Sequence, residues 1–572
     1  MDKNYFLKPV DPAQRKYEAL RAIFVEGLKP SKVSKKFNYP INTLYAFTYE
    51  FKKNNILDFF LPLKRGPKEY HKKTKFVKDR IIELRKKNFS VTEIQEKLEK
   101  ENLSITSRTI DSVLKKEGFS RIFRRTNAER LEILQNSTEY PEETNVSEFG
   151  VHKKVSTSFG GIFLFVPLIT KLNLYKTFLE SNFYGTKQIP RLNYLLSYLS
   201  IKLTGKERLS HIKDFNFDFG LGAFAGLNIL PKSTAITQYS YRHTHSNVVE
   251  FLRNSVKRFY DNKCFEGKII NLDFHSIPHF GDESQLQNNW VPVRNKSMKS
   301  VLALFAQDME STFLCYSNGC IEKDKQNDAI FEFIEFSKKT MDKKPECLVF
   351  DSKLTTYENL SGINEQKIKF ITLKRRGKSL LKNIESIKSW THITLDNVNR
   401  KYRNLKVSES IINLKDYDGK VRQIIVTGNG RELPMILITN DFDSSLKEII
   451  TIYSKRWRIE NNIQENVDFF NLNALSSPVI VKVDFDIAIT LIANSLYKLL
   501  AKKFSLFANA KPKKIYRNFI EARAKVIIEE DKVIVRFEKK ALTPLIMDYA
   551  KKENNQRIPW MNNKELVFEF EN

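Results

Sequence analysis

Two short apolar runs in this chain each end in an aspartate: Ile269-Ile270-Asn271-Leu272-Asp273 and Cys347-Leu348-Val349-Phe350-Asp351. Runs of that length and composition read as central strands buried on both faces. A carboxylate at the end of such a strand is costly unless something pairs with it or a metal binds it. If the two strands are neighbours, the two side chains converge at one edge of a sheet. A third carboxylate, Glu460, lies in Tyr453-Ser454-Lys455-Arg456-Trp457-Arg458-Ile459-Glu460. Tyr453, Arg456 and Glu460 are spaced by three and four, which predicts one shared helix face. Three carboxylates presented by two strands and a helix are the hard oxygen donors a pair of Mg²⁺ ions prefers. Two such ions can carry out an in-line displacement at phosphorus with no covalent enzyme intermediate. Asp273, Asp351 and Glu460 are therefore the candidate catalytic and metal-ligating residues. Arg456 would clamp a phosphate bidentately beside them, and Tyr453 would hydrogen-bond the same backbone.

The elements around these residues follow an order. Strand-like runs at 268–274, 300–306 and 311–317 precede a helix at about 327–340 and a strand at 346–351. Strand-strand-strand-helix-strand is the order of a ribonuclease H-like core. Residues 372–440 are strand-rich again, and the glutamate helix comes only after them, so this stretch reads as a β insertion. The expected fold class is multidomain α and α/β: N-terminal helix-turn-helix units, then a ribonuclease H-like core with a β-rich insertion. The expected boundaries are 1–60 (first helix-turn-helix), 61–75 (basic linker), 76–126 (second helix-turn-helix), 127–148 (acidic hinge) and 149–262 (helical domain). The core takes in 263–371 and 441–500, the insertion 372–440, and the C-terminal region 501–572, with a hairpin over Lys525 to Phe537.

In the first unit, Arg15 to Glu26 is helix-periodic and stops at Gly27, Pro30-Ser31 restarts the chain, and Asn42 is placed to cap a third helix. In the second, Ser90-Val91-Thr92-Glu93 is a capping box. Ser107, Arg108 and Thr109 form the polar first turn of the last helix, where base-edge contacts would originate. Arg121, Arg124 and Arg125 follow it, suited to phosphates. Arg65, in the Arg-Gly-Pro segment of the linker, could follow a narrow minor groove. A three-helix packing unit and a charged linker are the plain alternatives.

Charge supports a polyanionic partner. The 572 residues carry a net +29, and residues 1–125 hold 30 Lys+Arg against 15 Asp+Glu. More than half the excess thus sits in the first fifth, as a dedicated DNA-binding front end would require. The four cysteines (Cys264, Cys315, Cys320, Cys347) show neither CxxC nor Cys/His zinc spacing, which fits a reducing cytosol. The start reads as no signal peptide, and the most apolar run, Ile162 to Ile169, is too short to span a bilayer. A cytoplasmic, nucleoid-associated protein is expected.

The segment Tyr453-x2-Arg456-Trp457-x2-Glu460 resembles the signature of bacterial insertion-sequence DDE transposases, the cut-and-paste group with a β insertion before the glutamate. Phe350-Asp351-Ser352-Lys353, with Tyr357 to Leu360 and Ile368 to Thr372, is similar to that family's second-aspartate block. Ile438 to Asp441 and the helix from Leu446 resemble its lead-in to the glutamate. The resemblance spans about residues 150–500. It implies the ribonuclease H fold, two Mg²⁺ ions with Mn²⁺ able to substitute, and strand cleavage and strand transfer at terminal inverted repeats. It further implies joining to target DNA, a homodimer on paired transposon ends, and often a DNA-hairpin step. Trp457 would then stack on a flipped base, with Trp390 a weaker candidate and core packing the plain reading of both. Lys374, Arg375 and Arg376 would line a DNA groove or form a solvated turn. His275 shares the strand face of Asp273, with a supporting role expected. One departure stands out: the family's lysine seven positions after the glutamate is Val467 here. The alternative reading is therefore a catalytically silent, transposase-derived, sequence-specific DNA-binding protein. A plain nuclease fits less well, having no need of two end-recognition units.

Overall fold

The computed structural model describes residues 12–53, 70–86, 89–119, 122, 154–186, 188–215, 217–281, 286–396, 402–474 and 478–571. Arg65, Arg121, Arg124, Arg125 and the acidic stretch 127–148 lie outside these residues, as does most of the 61–75 linker. The chain divides into two compact units, Met1–Phe76 and Val77–Asn572.

The first unit contains α1 (Pro12–Phe24), α2 (Pro30–Phe37) and α3 (Ile41–Lys53). Ala19, Ala22, Val33, Phe37 and Leu44 close a small core between them. Gly27, at φ +67°, supplies the left-handed turn after α1. The third helix starts two residues earlier than it would if Asn42 capped it. Pro40 precedes Ile41 and its carbonyl accepts from Thr43 and Leu44, so Asn42 lies inside the first turn.

The second unit begins within α4 (Tyr70–Lys86) and continues through α5 (Val91–Lys100) and α6 (Ser107–Lys116). Ile81, Leu84, Phe89, Ile94, Leu98, Ile110 and Leu114 fill the space between these helices. The Ser90–Glu93 capping box is formed in both directions, and Thr106 caps α6 through the backbone N–H of Thr109. This three-helix group rests on the rest of its unit. Lys78 pairs with Glu117 at 2.6 Å and Lys116 with Glu322 at 3.4 Å. Ser246 Oγ donates to Asp79 at 2.7 Å, and the Ile480 N–H donates to the Glu117 carbonyl at 3.3 Å.

An apolar helical stretch follows the short strand β1 (Lys154–Thr157). Its members are α7 (Val166–Lys171), α8 (Leu174–Leu179), α9 (Arg191–Leu203), α10 (Phe219–Phe224), α11 (Ser233–Tyr239) and α12 (His245–Asp261). Then come β2 (Ile269–Pro278), β3 (Asn288–Val291), β4 (Lys296–Asp308), β5 (Leu314–Asn318), α13 (Ala329–Met341), β6 (Cys347–Phe350), α14 (Tyr357–Glu365) and β7 (Lys369–Leu373). After α15 (Lys378–Glu385) the chain forms β8 (Thr391–Thr394), β9 (Asn404–Asn413), β10 (Lys420–Thr427) and β11 (Met435–Thr439). These strands make one sheet ordered β3-β4-β2-β6-β7-β11-β10-β9-β8, with β5 on β4. Strands β2, β6 and β7 run parallel, and β4 and β5 antiparallel to their neighbours. The strands of 372–440 do not stand apart. β11 pairs with β7 from Leu437↔Leu373 to Thr439↔Ile371, so they widen the same sheet.

The chain continues through α16 (Leu446–Ser454), α17 (Trp457–Phe470), α18 (Ile480–Lys503) and α19 (Pro512–Ile515). α18 is buried along most of its length among α9, α12, β5 and α17. The tail adds β12 (Ala524–Ile528), β13 (Lys532–Phe537), α20 (Thr543–Glu553), β14 (Gln556–Ile558) and β15 (Lys564–Phe570). The β12–β13 hairpin is present as the sequence indicates. It belongs to a second sheet, β1-β12-β13-β15-β14, in which β1 pairs with β12 from Lys154↔Ile527 to Thr157↔Ala524. Among the described residues no helix is long and apolar enough to cross a membrane.

Candidate active site

Asp273 lies in the middle of β2, opposite Phe305 of β4. On its other side β2 runs parallel to β6, with Ile269↔Cys347, Ile270↔Leu348 and Asn271↔Val349. Two residues further along each strand are Asp273 and Asp351. The parallel register therefore carries both aspartates to the same level, Asp273 midway along β2 and Asp351 just past the end of β6. The Asp351 carboxylate accepts the Ser352 N–H at 2.6 Å and its hydroxyl at 3.3 Å. Glu460 stands in the first turn of α17, which packs on β2, and it accepts from Arg456 Nη2 at 2.5 Å.

Tyr453, Arg456 and Glu460 do not share one continuous helix. α16 ends at Ser454 and α17 starts at Trp457. Across the junction the Arg456 N–H reaches the Tyr453 carbonyl, Arg458 reaches Lys455, and Ile459 reaches Arg456. These i→i+3 bonds form a tight 3₁₀ turn. The three side chains still converge. The guanidinium of Arg456 sits 5.8 Å from the ring centre of Tyr453 while it bonds Glu460.

Electrostatics show the carboxylates acting on one another. Burial raises the Asp273 carboxyl, Arg456 pulls it back, and Glu460 and Asp351 push it up again, bringing it to about 7. Burial likewise lifts the Tyr453 phenol to about 12, opposed by Arg456 and reinforced by Asp351. Burial works against the charged form of Arg456, but Tyr453, Glu460 and Asp273 raise its pKa overall. Here three carboxylates repel in a partly desolvated corner with one arginine to offset them. A dication would relieve that repulsion, and carboxylate oxygens are donors of the hard type Mg²⁺ takes.

The other sequence candidates are spread more widely. Trp457 is 41% exposed beside Arg456. Trp390 is partly buried against Ile384, Ile425 and Ile436, and its indole donates to the Ile387 carbonyl; packing accounts for it. Lys374 is partly buried and donates to Gln423 Oε1 at 2.9 Å, whereas Arg375 and Arg376 are exposed. Ser107, Arg108 and Thr109 are exposed on α6. His275 bonds Asn473 at 2.8 Å, and burial lowers its pKa. Val467 packs against the main apolar core.

The sequence reading missed an amide relay behind the carboxylates. Gln307, fully buried on β4, accepts from Asn271 Nδ2 at 3.3 Å and donates to the Arg458 carbonyl at 3.2 Å. Asn271 is two residues before Asp273, and Arg458 is two before Glu460, so one side chain ties the aspartate strand to the glutamate helix. Asn462 Nδ2 adds a bond to the Thr312 carbonyl at 2.8 Å.

A separate group, His245, Cys320 and Asp484, has donor atoms within 4.8 Å of one another. Asp484 is already engaged by the His245 ring at 2.7 Å and the Gly319 N–H at 2.8 Å. Burial holds the Cys320 thiol well above its usual pKa, hence protonated. The group works as a tie between α12, the end of β5 and α18.

Residues 332–493 match the family described as "Transposase DDE domain". The match takes in Asp351, Tyr453, Arg456 and Glu460, stops short of Asp273, and supports a DDE transposase. A transposase domain in turn implies a protein that binds DNA. No curated protein matches the chain.

Proposed function

We propose that this chain is a cut-and-paste transposase that cleaves DNA at the ends of an insertion sequence and joins those ends to target DNA. The observation that carries the reading is the register that levels Asp273 with Asp351, together with the influence of Asp351, Glu460 and Arg456 on the Asp273 carboxyl. The strand order β5-β4-β2-β6-β7, with β2, β6 and β7 parallel, supports a ribonuclease H-like core, and the strands of 372–440 its insertion. The two three-helix groups serve as helix-turn-helix readers of the terminal repeats, α6 presenting Ser107, Arg108 and Thr109 to base edges. The protein works as a homodimer on paired ends.

In this reading Asp273, Asp351 and Glu460 hold two Mg²⁺ ions, or Mn²⁺. When bound, such ions activate a water or a 3′-hydroxyl and stabilise the leaving oxygen. Arg456 neutralises Glu460 and is poised to take a phosphate oxygen. Tyr453, protonated at neutral pH, supplies a hydrogen-bond donor beside it. Trp457 offers an exposed ring for an unstacked base, and Arg375 and Arg376 hold phosphates, with Lys374 fixing their turn.

Asp273→Ala is expected to abolish Mg²⁺-dependent cleavage of end-containing duplexes while leaving end binding intact. Cleavage at the parent's rate would remove Asp273 from the site. Val467, an apolar residue where the resembling family carries lysine, favours a second reading, a silent core retained as a DNA binder. Absence of cleavage by the parent chain on its own flanking repeats would select it.

A further inference from the structure

We propose that the β3–β4 hairpin is a DNA-holding surface that takes the phosphate backbone of duplex flanking the cleavage point. This inference rests on the transposase reading and adds to it a surface outside the residues considered so far. Its basis is register. Side chains alternate along a strand, so Phe305, Ala303, Val301, Lys299 and Ser297 of β4 share one sheet face. Directly opposite them are Asp273, His275 and Ile277 of β2, then Asn288 and Trp290 of β3. The candidate catalytic aspartate and Trp290 are thus on the same face of a continuous ribbon. Eight residues of β4 separate their partners, about 26 Å at the rise of a strand, or about eight base steps of duplex.

The far end of this ribbon is built for a ligand rather than for its own core. Asn289 and Val291 of β3 are buried, whereas Trp290 is 55% exposed and Val293, in the turn, 75%. Phe280, just past β2, is 62% exposed with the Arg294 guanidinium 5.3 Å from its ring centre. Between Leu286 and Lys299 the sequence has Arg294, Lys296 and Lys299 and no acidic residue. Among the described residues no carboxylate pairs with these three. Lys323 adds a fourth cation, its Nζ donating to the Asn288 carbonyl at 3.1 Å. Exposed aromatic rings set among cations that no described carboxylate pairs with match nucleic acid, where phosphates take the charges and a ring can stack.

The test uses the full chain and a fluorescent duplex of arbitrary sequence, with affinity read by anisotropy over a range of salt. The variant Arg294→Gln/Lys296→Gln/Lys299→Gln is expected to make the negative slope of log K against log salt shallower by about 2.7, about 0.9 for each lost contact. Trp290→Ala is expected to weaken binding about tenfold with the slope kept. Melting curves matching the parent's show that both variants fold. Slope and affinity equal to the parent's would overturn the proposal. So would a variant that lost self-association in sedimentation with its DNA affinity unchanged, which would assign the hairpin to a second copy of the chain. The outcome is independent of Asp273→Ala. Full cleavage by that variant sinks the catalytic reading, while an unchanged salt slope sinks only the hairpin.

Discussion

Gln307 ties the strand that carries Asp273 to the helix that carries Glu460. It replaces the sheet-to-helix contact an apolar residue would make with two directed hydrogen bonds, to Asn271 and to the carbonyl of Arg458. Gln307→Leu keeps the volume but leaves those groups unpaired, a loss of about 1–3 kcal/mol of stability. The expected outcome is cleavage reduced at least tenfold, with end affinity unchanged and a higher Mg²⁺ concentration needed for half-maximal rate. A variant that melts lower but keeps the parent's Mg²⁺ dependence would show Gln307 to be structural only. Lys498 gives a second test at this scale. Its ammonium donates to Thr312, and burial lowers its pKa to about 7. The unfolded chain then binds more protons than the folded one between about 7 and 10.5, so this group's contribution to stability rises with pH across that window and is lost as pH falls through 7. Lys498→Met should flatten the rise, measured by denaturant unfolding at pH 7 and pH 9. At this scale the acidic residues were legible in the sequence because a carboxylate after an apolar run breaks the hydrophobic pattern. Gln307 was not, since one amide within a long strand has no pattern of its own until its partners are known.

Among the elements, Gly118 fixes how α6 meets the body of its unit. Its φ is +83°, and a Cβ there would stand 2.2 Å from the Pro478 carbonyl oxygen. Both the backbone angle and the space are barred to alanine. Gly118→Ala should release α4–α6 from the segment before α18 without melting the three helices, seen as faster hydrogen exchange at Ile480 and proteolysis near residue 120. Unaltered exchange would show the docking to be held by Lys78, Lys116 and their glutamates alone. Within 268–351 the strands β2, β4, β5 and β6 were readable because each holds an apolar run bounded by turns. β3 was missed: Asn288-Asn289-Trp290-Val291 is half polar, and its pairing with β4 is set by the turn at Pro292–Asn295. The break between α16 and α17 was missed for another reason. Spacing of three and four fits a 3₁₀ junction as well as an α-helix, so periodicity could not separate them.

For the whole molecule, the charge asymmetry underlies the proposed division between recognition and chemistry. Removing residues 1–125 should abolish sequence-specific end binding and leave weak, salt-sensitive binding by the remainder, checked by competition between end-containing and scrambled duplexes. Specificity unchanged by the deletion would move recognition into the body. What composition could not show is how the body closes. β1 is four residues long, and its partner β12 comes only after the large sheet and α18 have been made. A ribosome must therefore deliver nearly the entire polypeptide before the first strand of the body can find its neighbour. Such closure is slow and late. A chain stopped anywhere before β12 would carry finished front-end helices on an unsealed body, so a premature stop near the end of the reading frame should yield aggregation-prone protein rather than a shortened enzyme.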